Sequence, residues 1–169
     1  MTRGAPALFD ALAEEWRSLS TDRVLAARLP DACQVAGDAR TLGEVERYVQ
    51  HAGSAVADEV LLAVVRVAIS EGRTGELASR LLLQLLLPGT RNLARRWWAL
   101  GDADERAAAA VAAVYGRIRN YPLGRRPGRV AANVLMDAAQ DLRRSVPHAD
   151  VTSVDPTGEW LSDPPGLVA

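Results

Sequence analysis

The chain has 169 residues, 20 arginines and no lysine, 21 acidic side chains, one cysteine and a net charge of −1. A 49% share of hydrophobic residues excludes global disorder, and the length suits one domain that buries a core without disulfides or metal. A lone Cys33 excludes an intramolecular disulfide, and the lack of lysine excludes a P-loop lysine and a Schiff-base nucleophile.

In chain order nearly every segment reads as helix. The N-terminus, with Asp10, Glu14 and Glu15 close behind Met1, has no signal-peptide pattern. Leu8, Leu12 and Trp16 sit at helical spacing over 7–18. Ser20-Thr21-Asp22 offers an N-cap for a short helix that stops before Pro30. Thr41 and Glu44 form a capping box for a helix that ends near Gly53. Ser54 is expected to cap the next helix, whose face is Val60, Leu61, Val64, Val67 and Ala68 and which ends at Gly72. Residues 75–87 are apolar almost all round, which predicts a central buried helix. The run Leu81–Leu87 falls far short of the about 20 residues a membrane span requires.

Pro88-Gly89-Thr90 reads as a turn, with Thr90 capping a helix through Trp98. Gly101-Asp102 separates it from a helix over 103–119, with the stripe Val111, Val114, Tyr115 and Ile118. A loop follows at 121–128, then a helix over 129–145. That last helix gathers Ala131, Val134, Leu135, Ala138 and Leu142 on one face. Arg129, Asn133, Asp137, Gln140 and Arg144 lie opposite. Residues 147–169 contain four prolines and read as a flexible acidic tail. The expected fold is an all-α compact bundle of about six to seven helices.

Charge is unevenly spread along this order. Residues 1–90 carry a net −3, residues 91–144 a net +6 and residues 145–169 a net −4. A lysine-free chain rich in alanine and arginine suggests a high-GC genome. That explains the choice of arginine but not its clustering. Guanidinium groups bind phosphates and carboxylates bidentately, so the cluster points to an anionic partner or to acidic segments of the same chain. Arg125 and Arg126 lead into the polar stripe that begins at Arg129 and Asn133, side-chain types that engage phosphates and base edges. The sequence has no G-x-G-x-x-G or G-x-S-x-G pattern, and His51, His148 and Cys33 make no zinc spacing. No enzyme activity, cofactor or metal is expected.

Three stretches, taken in order, carry a family resemblance. Pro88–Trp98 contains Leu93-Ala94-Arg95-Arg96 before an apolar pair. Val114-Tyr115-Gly116-Arg117-Ile118-Arg119-Asn120-Tyr121 is the second stretch. Arg129-Val130-Ala131-Ala132-Asn133-Val134-Leu135-Met136-Asp137 follows a basic loop, with Arg143-Arg144 at its end. Together they resemble region 2 of bacterial sigma factors, nearest the extracytoplasmic-function type, over about residues 77–144. The resemblance implies a cytoplasmic transcription protein with no membrane partner. It would bind promoter-like DNA, single-stranded where melted, and RNA polymerase core or a protein regulator. By analogy Arg119, Tyr121, Arg125, Arg126, Arg129, Asn133 and Arg144 would approach DNA, with Tyr121 as a base-stacking platform. Trp97 and Trp98 are further candidate platforms, but large aromatic residues beside apolar ones in a helix are expected in the core. Where the family carries acids and a glutamine that grip polymerase, this chain has Ala107–Ala110, Val111 and Ala112–Ala113. That departure favours an alternative, a helical protein-interaction module that has lost the DNA role. The expected division is an N-terminal helical segment (1–76), a region 2-like domain (77–146) and a tail (147–169) that looks like the start of an interdomain linker, as in a piece of a longer protein.

Overall fold

A computed structural model describes residues 7–146; the expected C-terminal tail lies outside them. Helix makes up 78% of the structure and no strand occurs among the described residues, so the fold is all-α. Nine α-helices are present there, seven of them seven residues or longer. They are α1 (Ala7–Thr21), α2 (Arg23–Ala26), α3 (Pro30–Val35), α4 (Leu42–His51), α5 (Ser54–Ala68), α6 (Gly72–Leu85), α7 (Leu87–Arg96), α8 (Ala103–Arg119) and α9 (Val130–Ser145). A 3-10 turn, Trp98–Leu100, joins α7 to α8.

Caps explain most of the boundaries. Asp22 accepts from the amides of Val24 and Leu25 and starts α2. Thr41 Oγ1 accepts from Glu44 N at 3.2 Å, as its spacing predicts, but the Glu44 carboxylate reaches the Arg40 amide at 2.6 Å rather than that of Thr41. Asp102 and Glu105 close a complete capping box, and α8 spans the residues expected of it. Two expected caps are replaced. Gly53, not Ser54, is the N-cap of α5, and Ser54 is already helical and makes no capping bond. Thr90 is buried inside α7, where its hydroxyl donates to Leu86 O at 3.0 Å. The Pro88-Gly89 turn is absent because proline at the second helical position starts a helix as readily as it ends one. Gly89 serves packing: a Cβ there would lie 2.5 Å from Leu135 Cδ1 on α9. Helix α3 was not expected; Pro30 opens it.

One hydrophobic core runs through the bundle. Its centre is α5 against α6, with Val60, Val64, Val65, Ala68, Ala78, Leu81 and Leu82 out of solvent. Val114 and Ile118 of α8 and Val130, Val134, Ala138 and Leu142 of α9 complete it. The division expected between 76 and 77 falls inside α6, and the same core lies on both sides of it.

A polar network ties α1 and α4 to α6. Arg80 donates to Glu15 at 2.8 Å and to Leu12 O at 2.7 Å, and lies over the Trp16 ring, 5.4 Å from its centroid. Trp16 and Gln84 donate in turn to the two carboxylate oxygens of Glu46. Arginine is thus part of the scaffold as well as of the surface.

The tightest approach to backbone is at Gly75, where an added Cβ would lie 2.0 Å from the carbonyl oxygen of Ser70. Intrinsic helix preference favours alanine over glycine by about 1 kcal/mol. The clash is with backbone, which cannot step aside, and overpacking of this kind costs roughly 1–3 kcal/mol. Gly75→Ala is therefore expected to lower the urea midpoint, and a raised midpoint would show that helix preference wins.

Candidate nucleic-acid interface

The loop between α8 and α9 is fixed at both ends by side chains distant in sequence. At its far end Arg129 adopts a left-handed conformation, φ 55°, which turns the chain into α9. Its amide and that of Val130 donate to the two carboxylate oxygens of Asp58 on α5, at 2.7 and 2.8 Å. The first turn of α9 thus receives its cap, and a negative charge at its positive end, from another helix. At the near end Arg119 points inward and donates to the carbonyls of Ala68 and Ser70 and to Ser79 Oγ. It caps the C-terminus of α5, where carbonyls lack helical partners and a cation is favoured.

Between these ties the loop closes on Tyr121. The ring is buried, at 5% exposure, and its hydroxyl donates to Arg126 O at 2.9 Å. Asn133 Nδ2 donates to the Tyr121 hydroxyl at 3.0 Å and to Gly128 O at 2.9 Å. Tyr121 therefore offers no face to a base, and the expectation of a stacking platform there is corrected. The ring is held down because its hydroxyl satisfies loop carbonyls that burial would otherwise leave unpaired. Asn133 is likewise spent on the loop, and Arg119 on the core.

The remaining predicted residues do reach the surface. Arg125, Arg129 and Arg144 are exposed. Arg126 is exposed and pairs with Asp137 at 2.9 Å. Arg144 lies 3.7 Å from Asp141 with a largely solvated side chain, a weak pair. Arg125 and Arg129 have no ion-pair partner among the described residues. The loop and the end of α8 border a polar recess of about 420 Å³, lined in part by Arg117, Asn120, Arg125, Arg126 and Asp137.

Two residues that the sequence did not single out organise this surface. Asp58 is one. The other is Asp141 of α9, which receives Arg117 bidentately, Nε to Oδ2 at 2.5 Å and Nη2 to Oδ1. The hydrogen bond from Arg117, with its charge and that of Arg144, holds the Asp141 carboxyl below its ordinary value of 3.8. Neither pair has a local signature: Asp58 lies 71 residues from Arg129 and Asp141 lies 24 from Arg117.

Trp98 departs from expectation in the other direction. It is 73% exposed, whereas the core was expected to hold it. Trp97 is half-buried and packs on the core, as expected.

Compared with protein-family models, curated proteins and solved structures, the chain matches none. Among the described residues no group of three His, Cys, Asp or Glu side chains is placed to hold a metal ion. No helix there is long and apolar enough to cross a membrane.

Two outcomes follow. Asp58→Ala removes both bonds that start α9 and is expected to cost about 1–2 kcal/mol in urea unfolding, with an unchanged midpoint counting against the cap. For Asp141 the folded pKa is lowered, so its contribution is full above the unfolded value and is lost as pH falls through the lowered one. The stability gap between the native chain and Asp141→Asn should therefore be flat near neutral pH and close below pH 3.8. A gap that persists in acid would mean that the pair contributes nothing through its charge.

Proposed function

We propose that this protein is a non-enzymatic, sigma region 2-like transcription protein that binds promoter-type DNA through the α8–α9 loop and the start of α9. One observation carries the reading: Arg125 and Arg129 stand exposed, without carboxylate partners among the described residues, on a loop whose backbone is held by Asp58, Tyr121 and Asn133. Surface arginines on mobile loops are common and mean little. Here the loop is braced by bonds that use neither guanidinium group, so both are left for an external anion. A rigid mount lowers the entropy lost when they engage phosphates. Arg126 joins them when its exposed pair with Asp137 opens, a pair worth no more than about 1 kcal/mol. Contacts of this kind position the chain on DNA without reading sequence.

RNA polymerase core or a protein regulator is the second partner of this reading. A specific observation also supports the alternative of a protein-interaction module. The outer face of α8 exposes Ala108, Ala112 and Gly116, small residues that let a partner helix approach closely.

Binding of a fluorescent promoter-like bubble duplex, followed by anisotropy over a salt series, tests the proposal. Arg125→Gln and Arg129→Gln should each weaken binding and reduce the slope of log K against log salt by about 1. Glutamine keeps the left-handed strain at 129, so a stability change is not confounded with a lost contact. Binding that is undetectable at low salt, or unaltered by both substitutions, would favour the interaction module.

A further inference from the structure

A second feature of the arginine-rich half lies away from the loop. Helix α7 stops at Arg96, and the chain makes a 3-10 turn over Trp98–Leu100. Gly101 then reverses the chain at φ 112°, a value that side chains other than glycine rarely adopt. A Cβ at Gly101 would lie 1.8 Å from Glu105 Oε2, the same oxygen that accepts the Asp102 amide in the capping box of α8. The turn is therefore fixed at the start of α8, and with it the position of Trp98. Leu100 and Trp97 pack on the core, whereas Trp98 projects outward. It is the most exposed large hydrophobic side chain among the described residues.

Beside Trp98 is a groove of about 460 Å³ between this turn and the C-terminal half of α9. Its walls include Trp97, Trp98 and Ala139, with Arg96 on one side and Gln140 and Arg143 on the other. Among the described residues no acidic side chain lines it. Neither Arg96 nor Arg143 has an ion-pair partner among the described residues. A solvated tryptophan exposes apolar area that water disfavours. Here it is held out by backbone geometry, between two cations and an amide.

We propose that this groove binds an unpaired nucleic-acid strand, with a base stacked on the Trp98 indole and its flanking phosphates on Arg96 and Arg143. The proposal rests on the nucleic-acid reading above but uses different residues. Every base has a π-face, so an exposed indole accepts any of them, while guanidinium groups follow the backbone. The charged side chains among its described lining residues, Arg96 and Arg143, are both positive, which suits a polyanion. An apolar peptide would fill the groove but leave both guanidinium groups without counter-charge. Gln140 is placed to hydrogen-bond a base edge.

The full chain is titrated with a short labelled oligo(dT) strand and with a duplex of equal length, at low salt. Trp98→Ala should weaken single-strand binding roughly tenfold, within the range of one lost stacking contact, and leave duplex binding within twofold. Trp98→Phe should recover most of the loss, because a smaller ring still stacks. Arg96→Gln with Arg143→Gln should weaken the single strand and flatten its salt dependence. If Trp98→Ala binds oligo(dT) as the native chain does, while Arg125→Gln and Arg129→Gln weaken both ligands, the groove proposal is wrong and the loop reading stands. If neither ligand binds, both fail. Should an acidic, tryptophan-free peptide quench the Trp98 fluorescence while oligo(dT) does not, the groove belongs to a protein partner and the proposal is overturned.

Discussion

Helix α5 is tied at both ends to the α8–α9 hairpin, and the arginine surface depends on that pair of ties. Asp58 in its second turn holds the first amides of α9, and Arg119 of α8 holds its last carbonyls. Each tie contributes on the order of 1 kcal/mol, small beside the burial of Val60, Val64, Val65 and Ala68 against α6. Burial alone leaves freedom in how a helix is rotated and shifted along its neighbours. Directional bonds to both ends remove it. They also set where the intervening loop begins and ends, and so where Arg125 and Arg129 emerge.

The arginines divide by what surrounds them rather than by where they fall in sequence. Arg80, Arg117 and Arg119 each make several directed bonds to carboxylates, carbonyls or amide oxygens, and serve the scaffold. Arg126 is intermediate, held by one exposed pair. Arg125, Arg129, Arg96 and Arg143 face solvent. The net +6 of residues 91–144 therefore overstates the charge available to a partner, because part of it is spent inside the fold. The positions left over nonetheless cluster on the loop, the α7–α8 turn and α9.

What was legible in the sequence was local. Helix α8 could be bounded because Gly101-Asp102 breaks the chain before it and Val111, Val114, Tyr115 and Ile118 repeat at helical spacing. The face of α9 was legible for the same reason. Pro88 misled because proline punctuates helices at either end, and here it stands in the first turn of α7. Tyr121 misled because an aromatic residue beside arginines looks the same in sequence whether its ring lies up or down. Its hydroxyl partners, Arg126 and Gly128, supply carbonyls that carry no side-chain signal. Trp98 was hidden by the opposite ambiguity. Its exposure follows from a backbone turn at Gly101 rather than from its neighbours' polarity. Asp58 and Asp141 had no signature, since their partners are fixed only when the bundle is assembled.

The spacing of the two arginine surfaces along α9 constrains the partner's size. Arg129 of the loop lies at the N-terminal end of the helix and Arg143 of the Trp98 groove near its C-terminal end. Fourteen residues of helix separate these two arginines by about 21 Å. A single small anion cannot reach both. The carboxylates between them, Asp137 and Asp141, are each matched by an arginine, Arg126 and Arg117, so no uncompensated negative charge divides the two ends. A polyanion lying along α9 would meet arginines at both ends and neutralised pairs between them. On the proposed reading one strand engages both surfaces, and the second contact becomes intramolecular, which raises its effective concentration without any new contact. Two weak arginine sites joined by one rigid helix then suffice, and neither has to be deep.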